Sequence, residues 1–174
     1  EAQVKARVGE YIYAVDDENM EEVVAKLLKD NCLTVACAES CTGGMLASRL
    51  TSISGSSMYI KGSIVTYSNE AKMKFLDVDK EILDTKGAVS PEVAKQMAEG
   101  VRKAVGSDIG VGITGIAGPT GGTDKKPVGL VYIAVAGKDN TVVKENIFSG
   151  DRARVRYRST QQALEMIRQY IKNK

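Results

Sequence analysis

Short apolar runs alternate with amphipathic helical stretches along this chain, and no other feature of the sequence constrains its fold as strongly. Three of these runs, at 33–38, 62–67 and 108–114, have the length and composition of buried β-strands. Helical periodicity appears between and around them, at 20–31, 43–51, 69–76, 91–105 and 151–172. The alternation predicts three parallel, buried strands that are connected through helices.

A β-hairpin is predicted after the third run. Apolar stretches at 129–135 and 142–148 flank the turn sequence Gly137-Lys-Asp-Asn140. Because a hairpin reverses the chain, one of its strands must run antiparallel to the others. The sequence therefore predicts an α/β protein, a three-layer α/β/α sandwich around a mixed sheet. In such sheets, ligands usually bind beyond the carboxyl ends of the strands.

Capping residues mark the ends of two helices. Asp17 is predicted to be the N-cap of the first helix, because acidic residues follow it, and Asn31 to close that helix. Ser90 followed by Pro91 predicts the start of another helix, which should end at Gly106.

The 174 residues suit a single domain with its own core. The chain begins with Glu1, and the segment 7–13 has the pattern of a short strand with no predicted partner. We therefore expect residues 1–15 to be a linker or the tail of a missing N-terminal domain. The core domain is expected to span 16–174.

The absence of histidine limits the available chemistry. It excludes Ser-His-Asp triads, Cys-His pairs and histidine-ligated metal sites within this chain. Acid–base chemistry must then use Lys, Tyr, Asp, Glu or Cys. The spacing of Cys32, Cys37 and Cys41 does not suit zinc, and we expect these thiols to be buried apolar groups in a reducing cytoplasm. No metal site is predicted.

Charge and hydropathy exclude two further classes. The 24 Lys and Arg residues against 22 Asp and Glu give a net charge of +2, too small for a nucleic-acid footprint. With no Trp and two Phe, an aromatic platform for single strands is also improbable. No apolar stretch approaches 18 residues, so no membrane span is expected.

Polar loops directly follow the three predicted parallel strands, at 39–44, 67–72 and 114–123. Parallel strands place the loops at their carboxyl ends on the same edge of a sheet. We expect the three loops to converge on one pocket, although chance convergence is the alternative.

The first two loops offer a nucleophile and a base. Ser40 and Thr42 precede Gly43 and Gly44, where N–H groups at a helix start could bind an oxyanion or a phosphate. Ordinary helix capping is the alternative. Lys72 lies one turn into the next predicted helix. In a chain without histidine, a desolvated lysine is the natural general base for a serine, and a solvated surface lysine is the alternative.

The third loop and the last helix offer groups that could bind an anion. A glycine-rich backbone can present N–H groups to phosphate, and the glycines here are Gly115, Gly118, Gly121 and Gly122. Four arginines at the start of the last helix fall into two pairs on opposing faces, Arg152 with Arg156 and Arg154 with Arg158. One of these arginines could reach an anionic ligand, and a solvated helix start is the alternative.

Several ordered motifs resemble one known family. They are Ala38-Glu-Ser-Cys-Thr-Gly-Gly44, Tyr67-Ser-Asn69, Gly87-Ala-Val-Ser90, Gly112-Ile-Thr-Gly-Ile-Ala-Gly-Pro-Thr-Gly-Gly122, Lys126-Pro-Val-Gly129 and Ser149-Gly-Asp151. Over about residues 18–171, they resemble the C-terminal domain of the CinA family, which also occurs alone as nicotinamide mononucleotide deamidase. The segment before residue 16 resembles the end of the linker in full-length members.

This resemblance implies hydrolysis of the carboxamide of nicotinamide mononucleotide (NMN) to nicotinate mononucleotide and ammonia, without metal or organic cofactor. It also implies an anticodon-binding-domain-like fold with sheet order 2-1-3-4-5 and strand 4 antiparallel. Carried over by motif position, the active-site residues are Ser40, Ser57, Tyr67, Lys72, Thr114 and Arg154. The remaining residues expected to contact substrate are Thr42, Gly43, Gly44, Gly115, Gly118, Gly121 and Gly122.

Together, residues and resemblance give a mechanistic hypothesis. Ser40, or Ser57 as the second choice, attacks the carboxamide carbon, and Lys72 takes the hydroxyl proton. Tyr67 positions or relays that proton, and Cys41 is a third candidate nucleophile. Thr114 and the glycine loop hold the ribose phosphate, which pairs with Arg154.

Two alternatives of other classes stay open. The family is associated with recruitment of the recombinase RecA, so the domain could be an interaction module without turnover. It could also be a nucleotide or phosphosugar sensor, which would need the glycine loop but not Lys72. The resemblance further implies a homodimer.

Overall fold

The computed structural model describes residues 7, 13 and 17–173. Its helices are α1 (Met20–Asp30), α2 (Met45–Thr51), α3 (Asn69–Leu76), α4 (Lys80–Lys86), α5 (Pro91–Val105) and α6 (Arg152–Lys172). Its strands are β1 (Val35–Glu39), β2 (Ile60–Val65), β3 (Ile109–Gly115), β4 (Leu130–Ala136) and β5 (Thr141–Ile147). The linker predicted at 1–15, with its strand at 7–13, lies outside the described residues except at residues 7 and 13, and it stays a prediction.

The strands form one sheet in the order β2-β1-β3-β4-β5. The first three strands are parallel to one another, since β1 pairs in parallel with both β2 and β3. The hairpin strand β4 pairs antiparallel with β3 and with β5, so β4 alone runs in the opposite direction. The predicted sheet, with order 2-1-3-4-5 and strand 4 antiparallel, is confirmed.

The two faces of the sheet carry side chains of different size. Bulky residues on one face, such as Val111 and Ile133, pack with α1, α2 and α6. The other face is lined by alanine and glycine and packs mainly against α5. A Cβ at Gly110 or Gly112 would overlap with carbonyl oxygens of α5. These small residues let α5 approach the sheet closely, which completes the three-layer sandwich.

The prediction that all three parallel strands are buried is wrong for β2. Its residues alternate between half-buried and exposed, whereas β1 is buried throughout. The reason is position: β2 is an edge strand with β1 as its one neighbour. The strand also ends at Val65, two residues before the predicted end, so Tyr67 lies in the loop beyond it.

Helix capping agrees with the sequence at most ends. Ser90 caps α5 with Pro91 in its first turn, and Gly106 ends that helix, as predicted. The predicted N-cap Asp17 is wrong, because Asn19 caps α1. Its side chain accepts from the Glu22 N–H at 3.0 Å, and the Glu22 carboxylate accepts from the Asn19 N–H at 2.8 Å. This reciprocal capping box satisfies two N–H groups and outcompetes a lone aspartate two residues earlier.

Helix α4 was not predicted, because its two apolar residues, Ile82 and Leu83, are adjacent and form no helical stripe. Within the described residues, no helix is both long enough and apolar enough to cross a membrane.

Candidate active site

A pocket of about 300 Å³ lies at the carboxyl ends of β1 and β3. The polar loops that follow the three parallel strands all contribute to it, as expected from the strand directions. The segment before α5 and the first residue of α6 complete its wall. The lining residues are Ser40, Cys41, Tyr67, Lys72, Ala88, Val89, Thr114, Gly115, Ile116, Ala117, Gly118, Thr120, Gly121 and Arg152.

A serine and a lysine are hydrogen-bonded to each other in this pocket. The Lys72 ammonium donates to Ser40 Oγ at 3.2 Å and to the carbonyl oxygen of Thr66 at 2.8 Å. Lys72 is 1% exposed, and among the described residues no carboxylate forms an ion pair with it. Burial lowers the pKa of Lys72 from its ordinary value of 10.5. A lysine with these properties can act as a base.

Cys41 lies beside this pair but is poorly suited to act as the nucleophile. Burial raises the pKa of its thiol to about 12. Near neutral pH the sulfur is therefore protonated, and the reactive thiolate is scarce. Cys37 is also buried, whereas the prediction of burial is wrong for Cys32, which is exposed in the turn after α1.

The start of α2 is already occupied by a carboxylate of the protein itself. Glu39 is fully buried and accepts hydrogen bonds from the N–H groups of Gly44, Leu46 and Ala47, at 3.1, 3.1 and 2.9 Å. The Gly43 N–H donates to the carbonyl oxygen of Ser40 at 3.1 Å. The N–H groups of Gly43 and Gly44 are thus not free for an oxyanion or phosphate, contrary to the prediction.

The Glu39 carboxylate therefore fixes the backbone that presents Ser40. Replacement by glutamine is expected to lower the free energy of unfolding by about 1.5–3 kcal/mol, the usual contribution of a hydrogen bond to a charged group. An amide keeps one acceptor oxygen but turns an N–H donor toward the N–H groups of α2. Denaturant unfolding measures the loss, and Glu18→Gln, at an exposed position, is the matched control. Equal stability of the two variants would contradict this role.

Unlike the start of α2, the glycine loop has free donors. The N–H groups of Ala117, Gly118, Thr120, Gly121 and Gly122 donate no hydrogen bond to any residue that the structure describes. Four of these residues line the pocket, Gly122 being the exception. Such an array of backbone N–H groups suits a phosphate or an oxyanion.

The arginines of α6 separate into the two predicted pairs. Arg152 lines the pocket and donates to the carbonyl oxygen of Gly118 and to the Tyr67 hydroxyl, both at 3.0 Å. Arg156 donates to the carbonyl oxygen of Thr42 at 2.7 Å. Arg154 and Arg158 line a separate surface depression instead. The face of α6 that carries Arg152 therefore reaches the pocket, and the face that carries Arg154 does not.

Three further predicted site residues are placed differently from the hypothesis. Ser57 lies in an exposed turn, Ser56–Met58, before the amino end of β2. The pocket lies at the other end of the strands, beyond the carboxyl ends of β1 and β3. The hydroxyl of Tyr67 contacts Arg152 rather than Ser40 or Lys72. Thr42 is fully buried and does not line the pocket.

Thr114 does line the pocket, and its hydroxyl donates to the carbonyl oxygen of Ala88 at 2.7 Å. Sequence reasoning assigned no role to Ala88, Val89 or Glu39. The signals were present as the Gly87-Ala-Val-Ser90 motif and as an acid that ends an apolar strand. No cluster of acidic and cysteine side chains that could hold a metal ion occurs in the described part of the chain.

Comparisons with known proteins agree on one family. The sequence model of the CinA C-terminal domain matches residues 17–171. A Moorella thermoacetica protein whose name describes it as competence-damage inducible is 53% identical over 167 residues. These residues are 96% of this chain but 40% of that protein, so the chain spans about two fifths of its relative's length.

Solved structures show the same fold. The competence/damage inducible protein CihA from Agrobacterium tumefaciens has a TM-score of 0.82 and 40% identity, covering 88% of this chain and 96% of its own. A CinA superfamily protein from Klebsiella pneumoniae has a TM-score of 0.86 and 31% identity, covering 90% of this chain and 100% of its own.

Proposed function

Because this chain belongs to the family of CinA C-terminal domains, we propose that it hydrolyses the carboxamide of NMN to nicotinate mononucleotide and ammonia. The observation that carries the proposal is the 3.2 Å hydrogen bond between Ser40 Oγ and the buried Lys72 Nζ in the pocket. A serine next to a lysine of lowered pKa is a recognised arrangement for attack on an amide carbon.

Lys72 is the base and Ser40 the nucleophile in this mechanism. The neutral amine of Lys72 accepts the hydroxyl proton while Ser40 Oγ bonds to the carboxamide carbon. The carbonyl oxygen becomes an oxyanion. Lys72 then gives the proton to the amino group, the C–N bond breaks and ammonia leaves. A water molecule attacks the ester, Lys72 accepts its proton, and Ser40 recovers its own as nicotinate mononucleotide is released.

The phosphate of the substrate is assigned to the glycine loop and Arg152. The free N–H groups of the loop and the guanidinium of Arg152 meet at Gly118, whose carbonyl oxygen Arg152 contacts. Together they offer directed donors and a positive charge, the combination that phosphate binding requires.

Replacing Arg152 by glutamine is expected to raise KM for NMN about tenfold to a hundredfold, since a charged hydrogen bond contributes about 1.5–3 kcal/mol. The variant should also lose its preference for NMN over nicotinamide riboside, which lacks the phosphate. Steady-state ammonia release with both substrates measures the effect. Arg158→Gln is the control, because that side chain contacts Ser149 instead. A preserved preference for NMN would remove Arg152 from the phosphate site.

A homodimer would offer a place for Ser57 and Arg154, which lie outside the pocket of one copy. We propose that a second copy of the chain supplies these two residues to the pocket. Analytical sedimentation measures whether the chain forms this dimer in solution. Mixing Ser40→Ala chains with Arg154→Gln chains tests the sharing of residues. Mixed dimers would contain one complete site and regain activity. Activity equal to the sum of the two separate variants would contradict this proposal.

The relatives are named for competence and damage induction, and the family resemblance associates the domain with RecA, so an interaction module without turnover is the second candidate. Ammonia release from NMN by this chain, measured beside its Lys72→Met variant, separates the two functions. Release by the wild type alone supports the amidase. No release by either chain, together with binding to RecA, would replace the amidase by the interaction module.

A further inference from the structure

Lys126 joins the two walls of the pocket without lining it. Its ammonium donates to the carbonyl oxygen of Lys86 at 2.5 Å and to that of Val89 at 2.7 Å. Lys126 belongs to the loop between β3 and β4, whereas Lys86 is the last residue of α4 and Val89 lies in the segment between α4 and α5. One side chain therefore connects the glycine loop to the Ala88–Val89 wall.

Local structure orients Lys126 toward these carbonyl groups. A tight turn is closed by the Thr123 N–H, which donates to the carbonyl oxygen of Lys126 at 2.8 Å, and by the reverse bond at 3.1 Å. On the other side, Gly87 has a φ of +77°, and a Cβ there would lie 3.3 Å from Lys126 Nζ. A glycine at this position leaves room for the ammonium and adopts the left-handed conformation easily.

Few other contacts fix the position of the glycine loop. Its base is held by the N–H of Ile116, which donates to Leu130, and by that of Gly129, which donates to Ile116. At its centre, Gly118 accepts from Arg152. The N–H groups of its pocket-lining residues Ala117, Gly118, Thr120 and Gly121 have no acceptor in the described part of the protein. Their positions therefore depend on the contacts at the two ends of the loop, together with Arg152 and the packing of the buried Ala117.

We propose that Lys126 is a positioning residue that holds the glycine loop against the Ala88–Val89 wall and so places its N–H groups for the substrate's phosphate. The inference rests on the proposed amidase function for its substrate. Lys126 acts through the loop, so it affects how tightly the substrate binds rather than the proton transfer between Ser40 and Lys72.

Lys126→Met is expected to raise KM for NMN on the order of tenfold to a hundredfold, while kcat changes by less than about threefold. Lys126→Arg, whose guanidinium can reach both carbonyl groups, should recover most of the loss. Lys125→Met is the matched control, since that neighbouring lysine is exposed and has no partner among the described residues. A fall in kcat with unchanged KM would overturn the proposal.

Amide hydrogen exchange, recorded without substrate, tests the contact independently of any activity. The N–H groups of Gly87 and Thr123 are hydrogen-bonded in the two joined segments. In Lys126→Met their exchange should accelerate about tenfold or more, and in Lys125→Met it should not change. Unchanged exchange overturns the positioning role even in an active enzyme. Accelerated exchange in a chain without amidase activity supports the role and contradicts only the proposed reaction.

Discussion

Replacing Lys72 by methionine is expected to lower kcat for NMN hydrolysis by about 10²–10⁴-fold, the usual contribution of a general base. The amine contacts Ser40 and the Thr66 carbonyl oxygen, neither of which is assigned to the phosphate. The affinity for NMN should therefore change little. Ammonia release measures the turnover, and calorimetric titration with NMN measures the binding.

Lys74→Met is the matched control on the same helix. Its side chain is exposed and contacts the ring of Phe75 instead of the pocket. This variant should retain wild-type kcat. If Lys72→Met also retained it, the Ser–Lys mechanism would be abandoned. If Lys72→Met lost binding together with turnover, Lys72 would be a ligand of the substrate rather than a base.

The lowered pKa of Lys72 also predicts how activity depends on pH. The base must be neutral before Ser40 can transfer its proton, so kcat/KM should rise with pH. The rise should level off above the pKa of Lys72, which burial places below 10.5. A profile that is flat, or that rises only toward the ordinary lysine value, would contradict the assignment.

Stability should respond to the same group. Unfolding returns the Lys72 amine to water, where its pKa is the ordinary 10.5 and it binds a proton more tightly than in the fold. The free energy of unfolding of the wild type should therefore rise with pH between the lowered pKa and 10.5. The Lys72→Met chain lacks this titration. Below that pH window the wild type is destabilised by burying a charged amine, and the free energy of unfolding of Lys72→Met should be higher by that full amount. Above the window the amine is neutral in both states, so this difference should vanish. Denaturant unfolding at several pH values measures it.

The alternation of strands and helices along the sequence predicted the three-layer sandwich, and the polar loops after the parallel strands predicted the position of the pocket. Parallel strands with polar residues at their carboxyl ends bring distant loops together whatever their lengths, which is why Ser40, Lys72 and Thr114 could be predicted to converge. The edge position of β2 did not follow from composition or periodicity, because strand order depends on pairing between segments far apart in sequence; it was predicted only through the family resemblance, whose order 2-1-3-4-5 places strand 2 at the edge.

Side-chain direction was the part of the site that the sequence left open. Arg152 and Arg154 are two residues apart and thus about 200° apart around the helix, so the rotation of α6 decides which one enters the pocket. Val155 is the first buried residue of α6, and Ala153, the apolar residue that precedes it in the helix, is exposed and does not mark the buried face. Glu39 was equally hard to assign, since an acid at a strand end is normally solvated. Only the folding of α2 over it supplies three N–H donors.

Ser40→Ala should abolish turnover, because it removes the nucleophile. Among the described residues, Ser40 carries the one hydroxyl that is hydrogen-bonded to Lys72 Nζ. The loss in kcat is expected to be on the order of the full covalent contribution, about 10³-fold or more. Since the change removes one oxygen atom at the pocket wall, NMN should still bind. Mass spectrometry after rapid quenching should detect an ester between Ser40 and nicotinate mononucleotide in the wild type and none in Ser40→Ala.

Ser57→Ala separates the two candidate nucleophiles. Ser57 lies before β2, at the amino end of that strand and away from Lys72, and no hydrogen bond joins its hydroxyl to a described residue. If a second copy brings Ser57 to the pocket, it does so as a contact to substrate, so KM should rise while the ester still forms on Ser40. An ester found on Ser57, or full turnover in both alanine variants, would contradict the assignment of Ser40. The position of the ester therefore decides between the serines independently of the size of either kinetic loss.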